Sequence, residues 1–329
     1  MVFPVAQRWL LAALILAGVA SAVSGSMDPY FLDVVMGVGV SVVLASSLNL
    51  INGFTGQFSL GHAGFMAVGA YTSAILTTVV APRLGWNPVL LQWVFFPMSL
   101  IAAGLLAAVA GLAVGAPSLR LKGDYLAIVT LGFGEIIRVF MNNLDQPINI
   151  TNGPKGLGSI DAVSVLGHPL SKRLDLGFIE LPSVTLYYYL FLVLVVVSVV
   201  VCHRLENSRI GRAWMAIRED EIAAKAMGLN TRNLKLMAFG MGATFGGISG
   251  AMFAAFQGFV SPESFSLMES VMIVAMVVLG GLGHLPGVIL GAVLLAALPE
   301  ALRYVAGPLQ EMTGGRLDAA ILRQLLISV

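Results

Sequence analysis

The chain has 329 residues, of which 58% are hydrophobic and 11% charged, with a mean hydropathy of +0.91. Soluble domains carry roughly a quarter charged residues, so a water-soluble globule is excluded and much of the surface must face lipid. A formal net charge of +1 leaves no broad basic face for nucleic acid, and a lone cysteine, Cys202, allows neither an internal disulfide nor a cysteine-based metal site.

A membrane-spanning helix needs about 20 mostly apolar residues. That criterion predicts spans over 9–25, 30–51, 61–80, 91–116, 124–141, 184–202, 234–257, 267–282 and 285–302, while 321–329 opens a further helix. The predicted fold class is all-α, a polytopic transmembrane bundle of about nine to ten spans that includes glycine-broken helices. The first segment, Arg8 followed by Trp9 to Ala20 and a small-residue run to Ser26, is read as a span, with a cleaved signal peptide as the alternative.

After the second span, Asn52-Gly53-Phe54-Thr55-Gly56-Gln57-Phe58-Ser59-Leu60-Gly61-His62-Ala63-Gly64-Phe65 mixes four glycines with polar side chains between two apolar runs. Non-helical backbone at membrane depth survives only where protein buries it or water lines it, and such breaks mark substrate pathways in transporters. Gln57, Ser59, Gly61 and His62 are therefore candidate pathway residues; the competing reading is a tight inner turn whose glycines only allow packing.

Further along, Glu135 and Arg138 are three apart on one helix face, where a structural ion pair is favoured over a relay. The long segment 142–183, rich in Asn, Pro and Gly, reads as an outer loop that either caps a pathway or is simply solvated.

The loop 203–235 is the most informative polar stretch. Ala216, Ile217, Ile222, Ala223, Ala226 and Met227 follow helical spacing with charges between them. Asp220 suits a helix start, Gly228 suits a left-handed stop, and Thr231 suits the cap of the next membrane helix. The result is a short amphipathic helix outside the bilayer, either lying on lipid headgroups or docking a cytoplasmic partner. In the docking reading Ala223 and Ala224 form a small face, and Arg218, Glu219 and Asp220 supply polar contacts.

Two glycine ladders follow, Gly242, Gly246, Gly250 and Gly283, Gly287, Gly291, each spaced by four as close helix crossings require. Leu60-Gly61-His62 and Leu282-Gly283-His284 are each followed, six residues on, by Gly-Ala, a pattern that an internal parallel repeat would leave. Basic residues number ten on the segments that an inside N-terminus places in the cytoplasm and six on the outer ones, which favours N-in.

Several of these blocks resemble a known family. Gly56 to Ala63 looks like the signature of LivM/LivH-type permeases, the membrane subunits of branched-chain amino acid ABC importers. Lys122 to Leu131 and Thr151 to Leu157 are similar to the LivM side, and Gly280 to Gly283 with Pro286-Gly287 resembles its C-terminal glycine-rich element. Glu221 to Gly228 is similar to the Glu-Ala-Ala-x-x-x-Gly loop of ABC importer permeases, with one residue inserted after Glu221. The likeness covers about residues 35 to 305, and the family usually completes a last span and a tail beyond that point.

The resemblance implies a single permease domain over 1–329, with 203–235 as its cytoplasmic coupling loop and 142–183 as its extracytoplasmic loop. It implies a coupling role for Arg218, Glu219, Asp220, Glu221, Ala223, Ala224 and Gly228. Implied partners are a second permease subunit (a homologue or a second copy), two ABC ATPase subunits, an extracytoplasmic amino-acid-binding protein and the lipid of the cell's inner membrane. Urea or short amides are alternative cargoes.

The dipeptide Gly-Lys never occurs, so there is no phosphate-binding loop of the Gly-x-x-x-x-Gly-Lys-Ser/Thr kind. The expectation is a non-enzymatic subunit, without cofactor or metal, whose ATP is hydrolysed elsewhere. An ion-coupled secondary transporter using Glu135, Arg138 or His62 is the rival reading.

Overall fold

The computed structural model describes residues 29–83, 88–119, 121, 123–146, 149–158, 160, four short pieces between 164 and 181, and 183–312. The predicted span 9–25 and the segment 321–329 lie outside the described residues.

Among the described residues ten α-helices of six or more residues form the body. In chain order they are α1 (Pro29–Asn49), α2 (His62–Ile75), α3 (Pro88–Ser118), α4 (Asp124–Asn143), α5 (Ser183–Glu206), α6 (Arg209–Glu219), α7 (Glu221–Ala226), α8 (Thr231–Gln257), α9 (Leu267–Gly280) and α10 (Leu285–Met312). α1 and α2 each run on into a π-helical stretch, Leu50–Phe54 and Leu76–Val80 respectively.

Six stretches among the described residues are long and apolar enough to cross a membrane: Tyr30–Phe54, His62–Val80, Phe95–Ser118, Thr185–Glu206, Thr231–Gln257 and Leu285–Arg303. The larger predicted number is not reached. Leu267–Gly280 is apolar but has only 14 residues, and α4 carries Asp124, Glu135 and Arg138 along its 20.

α8 is the central helix, packed against α3, α2 and α1, and α1 in turn carries α5 and α10. Lipid tails give helices no hydrophobic reason to associate, so close contact must come from small residues. A Cβ on Gly247 of α8 would overlap Ala107 of α3, and one on Gly250 would overlap the Met66 carbonyl of α2. Gly246 faces His62 and Phe65, and Gly242 faces Ile51 and Ser47, so this ladder lies along α1 and α2. In the second ladder Gly287 and Gly291 meet Met276 and Gly280 of α9, whereas Gly283 lies in the α9–α10 turn at φ +81°.

The two ends of the bundle differ. At one end stand α6 and α7, the α9–α10 turn and the C-terminal end of α1. At the other, β1 (Leu157–Gly158) pairs antiparallel with a strand at Phe259–Val260, which ties the 149–158 segment to the α8–α9 connection. Thr151 is buried there and donates to the Met141 carbonyl at 2.7 Å.

Candidate functional site

The segment between α1 and α2 is not a simple end-of-helix turn. After Phe54 the chain reverses at Gly56 (φ +67°) and returns as irregular backbone, so that α2 begins at the level of Ser47 rather than of Phe54. Apart from the exposed Gly56 and Phe58 the break is largely buried, and side chains of three other segments satisfy its backbone. Asn52 of the π stretch accepts from the Ser59 N–H at 3.1 Å and donates to its carbonyl at 3.5 Å. Thr130 of α4 accepts from the Leu60 N–H, and Ser270 of α9 from the Ala63 N–H, at 3.1 and 3.2 Å. Unpaired backbone groups at such depth would cost several kcal/mol each (roughly) in the absence of these partners.

His62 opens α2 with its ring fully buried, edge-on to Phe65. Its Nε2 lies 2.5 Å from Ser47 Oγ, and the serine hydroxyl donates to the Leu44 carbonyl at 2.7 Å. With that proton committed, the imidazole donates from Nε2 and leaves Nδ1 as a bare acceptor. Among the described residues Nδ1 has no partner, and neither have the buried Ser59 Oγ, Asn49 Nδ2 and Ser46 Oγ. Such orphans are rare in native interiors and gather here around one break. Gln57 is buried too, its side-chain oxygen accepting from Thr55 at 3.4 Å, and a Cβ on Gly61 would overlap the Thr130 carbonyl.

The loop 203–235 folds as two helices, not the single one that its spacing suggests. Asp220, extended at φ −154°, ends α6 and caps α7, accepting from Ile222 and Ala223 N–H at 2.7 and 3.1 Å. At the other end of α7, Leu229 N donates to Ala224 O and Gly228 N to Lys225 O, with Gly228 at φ +84°; this is a Schellman stop. The cap of α8 is Asn230 and not Thr231, because the Thr231 hydroxyl donates to Glu221 at 3.3 Å while Asn230 accepts from the Asn233 N–H at 3.1 Å.

The two helices present different side chains to the bundle and to the outside. Trp214, Ile217 and Ala224 turn inward, and Trp214 Nε1 donates to the Leu234 carbonyl at 2.8 Å. Glu221 is bridged to Lys235 at 2.8 Å and to Lys225 at 3.3 Å. The hydrogen bond from Lys235 is the main cause that holds its carboxyl below the ordinary glutamate value, against partial burial that raises it. Ile222 and Met227 instead point outward, 77% and 83% exposed, beside the exposed Ala223, Glu219 and Gly228.

Arg218 connects the two regions. From α6 its Nη1 donates to the Gly53 carbonyl at 2.8 Å and reaches the Leu282 carbonyl at 3.5 Å. Gly56 lies against its side chain, and a Cβ on Gly283 would collide with its guanidinium. Asn49 completes the junction by accepting from the Gly283 N–H at 2.9 Å. The two Leu-Gly-His blocks therefore flank the C-terminal half of α1, one at Ser47 and the other at Asn49. Sequence reasoning singled out Arg218 as a partner-facing contact and missed Ser47, Asn49, Thr130 and Ser270. Isolated polar residues in apolar helices were the only signal for those four.

Glu135 and Arg138 pair with each other at 2.8 Å on α4, each about one third exposed.

Comparison with known proteins points one way. Residues 30–325 match the model of the permease component of the branched-chain amino acid transport system. The chain is 42% identical over 311 residues to the high-affinity branched-chain amino acid transport system permease protein LivM of Escherichia coli K12, covering 91% of this chain and 69% of that one. It is 26% identical over 296 residues to a probable LivM of Methanocaldococcus jannaschii, covering 81% and 80%. To LivH of Escherichia coli K12 the identity is 22% over 263 residues, covering 79% and 80%. No solved structure matches the chain.

Proposed function

We propose the following for a chain that belongs to the permease-component family of the branched-chain amino acid transport system: it is the membrane-spanning permease subunit of an ATP-driven importer of branched-chain amino acids. It is a multi-pass membrane protein of the cell's inner membrane, with α6 and α7 in the cytoplasm and an N-terminus on the same side. Asp124–Asn143 and Leu267–Gly280 cross with the six longer apolar stretches, and 9–25 adds a first span. A second homologous permease, two ABC ATPase subunits and an extracytoplasmic amino-acid-binding protein complete the importer.

The observation that carries the mechanism is the Arg218 junction, which joins a helix pair outside the bundle to the break between α1 and α2. The ATPase seats on the outward face of α6–α7, where Glu219, Asp220, Ala223 and Gly228 lie beside the exposed Ile222 and Met227. Glu221 and Ala224 hold that face in shape from behind, through Lys235 and through burial respectively. When ATP closes the ATPase pair, α6 moves, and Arg218 transmits the displacement to Gly53 and Leu282. Gln57, Ser59, Gly61 and His62 then line the path that opens, where the unpaired Ser59 Oγ and His62 Nδ1 are freed to meet a passing zwitterion.

The test is gentle purification of the tagged chain from its native membrane, followed by mass spectrometry of what stays bound. One or two P-loop ATPases and a second permease are expected with the wild type, and loss of the ATPases alone with Ile222→Glu/Met227→Glu. A chain that elutes alone and moves substrate in liposomes without ATP overturns the reading.

A further inference from the structure

A second feature sits at the opposite end of the bundle from α6–α7. A cavity of about 170 Å³ opens between α1, α2, α8 and α9. An engineered void of about 150 Å³ takes up benzene, so this one suits a small amino acid and not a peptide. Its walls are apolar, with Val40 and Leu44 from α1, Met66 from α2, and Phe253 and Phe256 from α8. Glu269 from the first turn of α9 also lines it.

Glu269 is the one charged residue in Leu267–Gly280. Among the described residues no ion pair or hydrogen bond reaches its carboxylate, although Glu135, Glu206, Glu221 and Glu300 each have a basic neighbour. The first turn of a helix favours a carboxylate, but this one borders an apolar cavity with no cation beside it among the described residues, where a charged guest can meet it. Beside it, the Gln257 amide and the Ser264 hydroxyl enter the same cavity, with Ser41, whose own hydroxyl donates to the Gly37 carbonyl at 3.0 Å.

These features define the chemistry of a guest. It carries one positive charge for Glu269, a carboxylate small enough for the Gln257 amide and the Ser264 hydroxyl, and a branched aliphatic body for the Val40, Leu44, Met66 and Phe253 walls. We propose that this cavity is a binding station for the zwitterionic aliphatic amino acid inside the permease, with Glu269 taking the α-ammonium group and the apolar walls taking the side chain. The inference rests on the importer reading and adds a site to it.

Its position fits a station on the transport route. Leu44 and Met66 form its floor, and one turn below them lie Ser47 and His62, followed by the orphaned polar atoms of the break. Ser270, next to Glu269, caps the Ala63 N–H at the start of α2. A guest held on Glu269 therefore acts on the helix whose first residues form the break.

Gly37 permits a direct test. It lines the cavity, and a Cβ there meets nothing within 4 Å, so Gly37→Leu grows into the void without displacing a neighbour. Gly132→Leu on α4, where a Cβ also meets nothing within 4 Å, controls for adding the same bulk elsewhere. In proteoliposomes holding the assembled importer, with uptake normalised to complex, Gly37→Leu and Glu269→Gln are expected to lower leucine uptake about tenfold or more, as the loss of a charge-assisted contact does. Glu269→Asp recovers part of it, and Gly132→Leu matches the wild type.

A second readout does not depend on uptake. Cys202 is buried, so Gly37→Cys supplies the one accessible thiol among the described residues. Leucine is expected to slow its modification by a charged thiosulfonate, whereas 4-methylpentanoate, which lacks the ammonium group, leaves the rate unchanged. Full uptake by Gly37→Leu and Glu269→Gln, or equal labelling of Gly37→Cys with and without leucine, overturns the cavity proposal while leaving the importer intact. A wild type that takes up no leucine with ATP instead overturns the importer reading, and protection of Gly37→Cys still decides the site.

Discussion

Arg218 Nη1 donates to the Gly53 carbonyl at 2.8 Å, joining residues 165 apart in the chain and binding a short helix outside the bundle to the end of α1. The contact is possible because Gly283 leaves room for the guanidinium and Gly56 for its stem, while Gly53 lets Asn49 and Gly283 close in behind. Both carbonyls, of Gly53 and Leu282, are reached from the one nitrogen Nη1, at the end of a planar group that a lysine ammonium does not match in shape. The junction follows from the residue types at three separate places in the sequence.

Arg218→Ala is accordingly expected to separate ATP hydrolysis from transport. In reconstituted importer the ATPase subunits stay bound, because Ile222 and Met227 are untouched, and hydrolysis continues while leucine uptake falls about tenfold or more. Arg218→Lys is intermediate, keeping a cationic donor near the two carbonyls and losing the planar guanidinium that fills the room left by Gly283. Parallel assays of phosphate release and uptake check this; equal losses of both activities show that Arg218 only supports the fold.

The close helix crossings predict which glycines tolerate a methyl group. Gly250→Ala drives a Cβ onto the Met66 carbonyl and against the Ala70 amide, two backbone groups that cannot move aside. A loss of about 3 kcal/mol is expected, at the upper end of ordinary overpacking costs. Gly132→Ala, with open space around its Cβ, is expected to be neutral or to gain up to about 1 kcal/mol of helix propensity. Thermal unfolding of the two variants in one detergent checks the difference, and equal melting temperatures count against this packing of α2 on α8.

These two cases mark what the sequence could say. Composition and glycine spacing were sufficient for an all-helical membrane bundle and for the Gly242–Gly250 strip, because both depend on local residue type. The break at 52–61 was legible for the same reason, as glycines between polar side chains. The groups that satisfy it were not, since Thr130 and Ser270 lie on helices whose neighbours only the fold decides. Of the small face expected at Ala223 and Ala224, Ala223 is exposed and Ala224 is buried, because spacing says which residues share a face and not which way that face turns. Here Ala224 and Trp214 cover the bundle and leave Ile222 outside. Glu269 carried a readable signal, a lone acid in an apolar run.

Glu221 gives a pH prediction. Its folded value lies below the ordinary carboxylate value, first because Lys235 donates to it. Its contribution to stability is therefore fully present above the unfolded value of about 4.3 and is lost as pH falls through the lower folded value. Hydrogen exchange over residues 221–235, corrected for intrinsic rates, checks this. Glu221→Gln is expected to exchange faster than wild type at pH 7, and the two are expected to converge as the wild-type carboxylate protonates below about pH 4. Identical protection at pH 7 removes Glu221 as the tether of α7.

The Ser47–His62 pair separates a structural role from a transport role in one buried residue. Nε2 of His62 is used by Ser47, and Nδ1 is an acceptor without a partner among the described residues. Ser47→Ala removes the acceptor and leaves a buried N–H unpaired, so a loss of about 1–3 kcal/mol is expected in thermal unfolding. His62→Gln keeps a donor near the position of Nε2 but has no second ring nitrogen, so stability is expected to hold while leucine uptake falls. Uptake at the wild-type level in His62→Gln means that His62 only pins α2 to α1. A fall in uptake without loss of stability assigns the work to Nδ1, since the contact with Ser47 is the part that glutamine preserves.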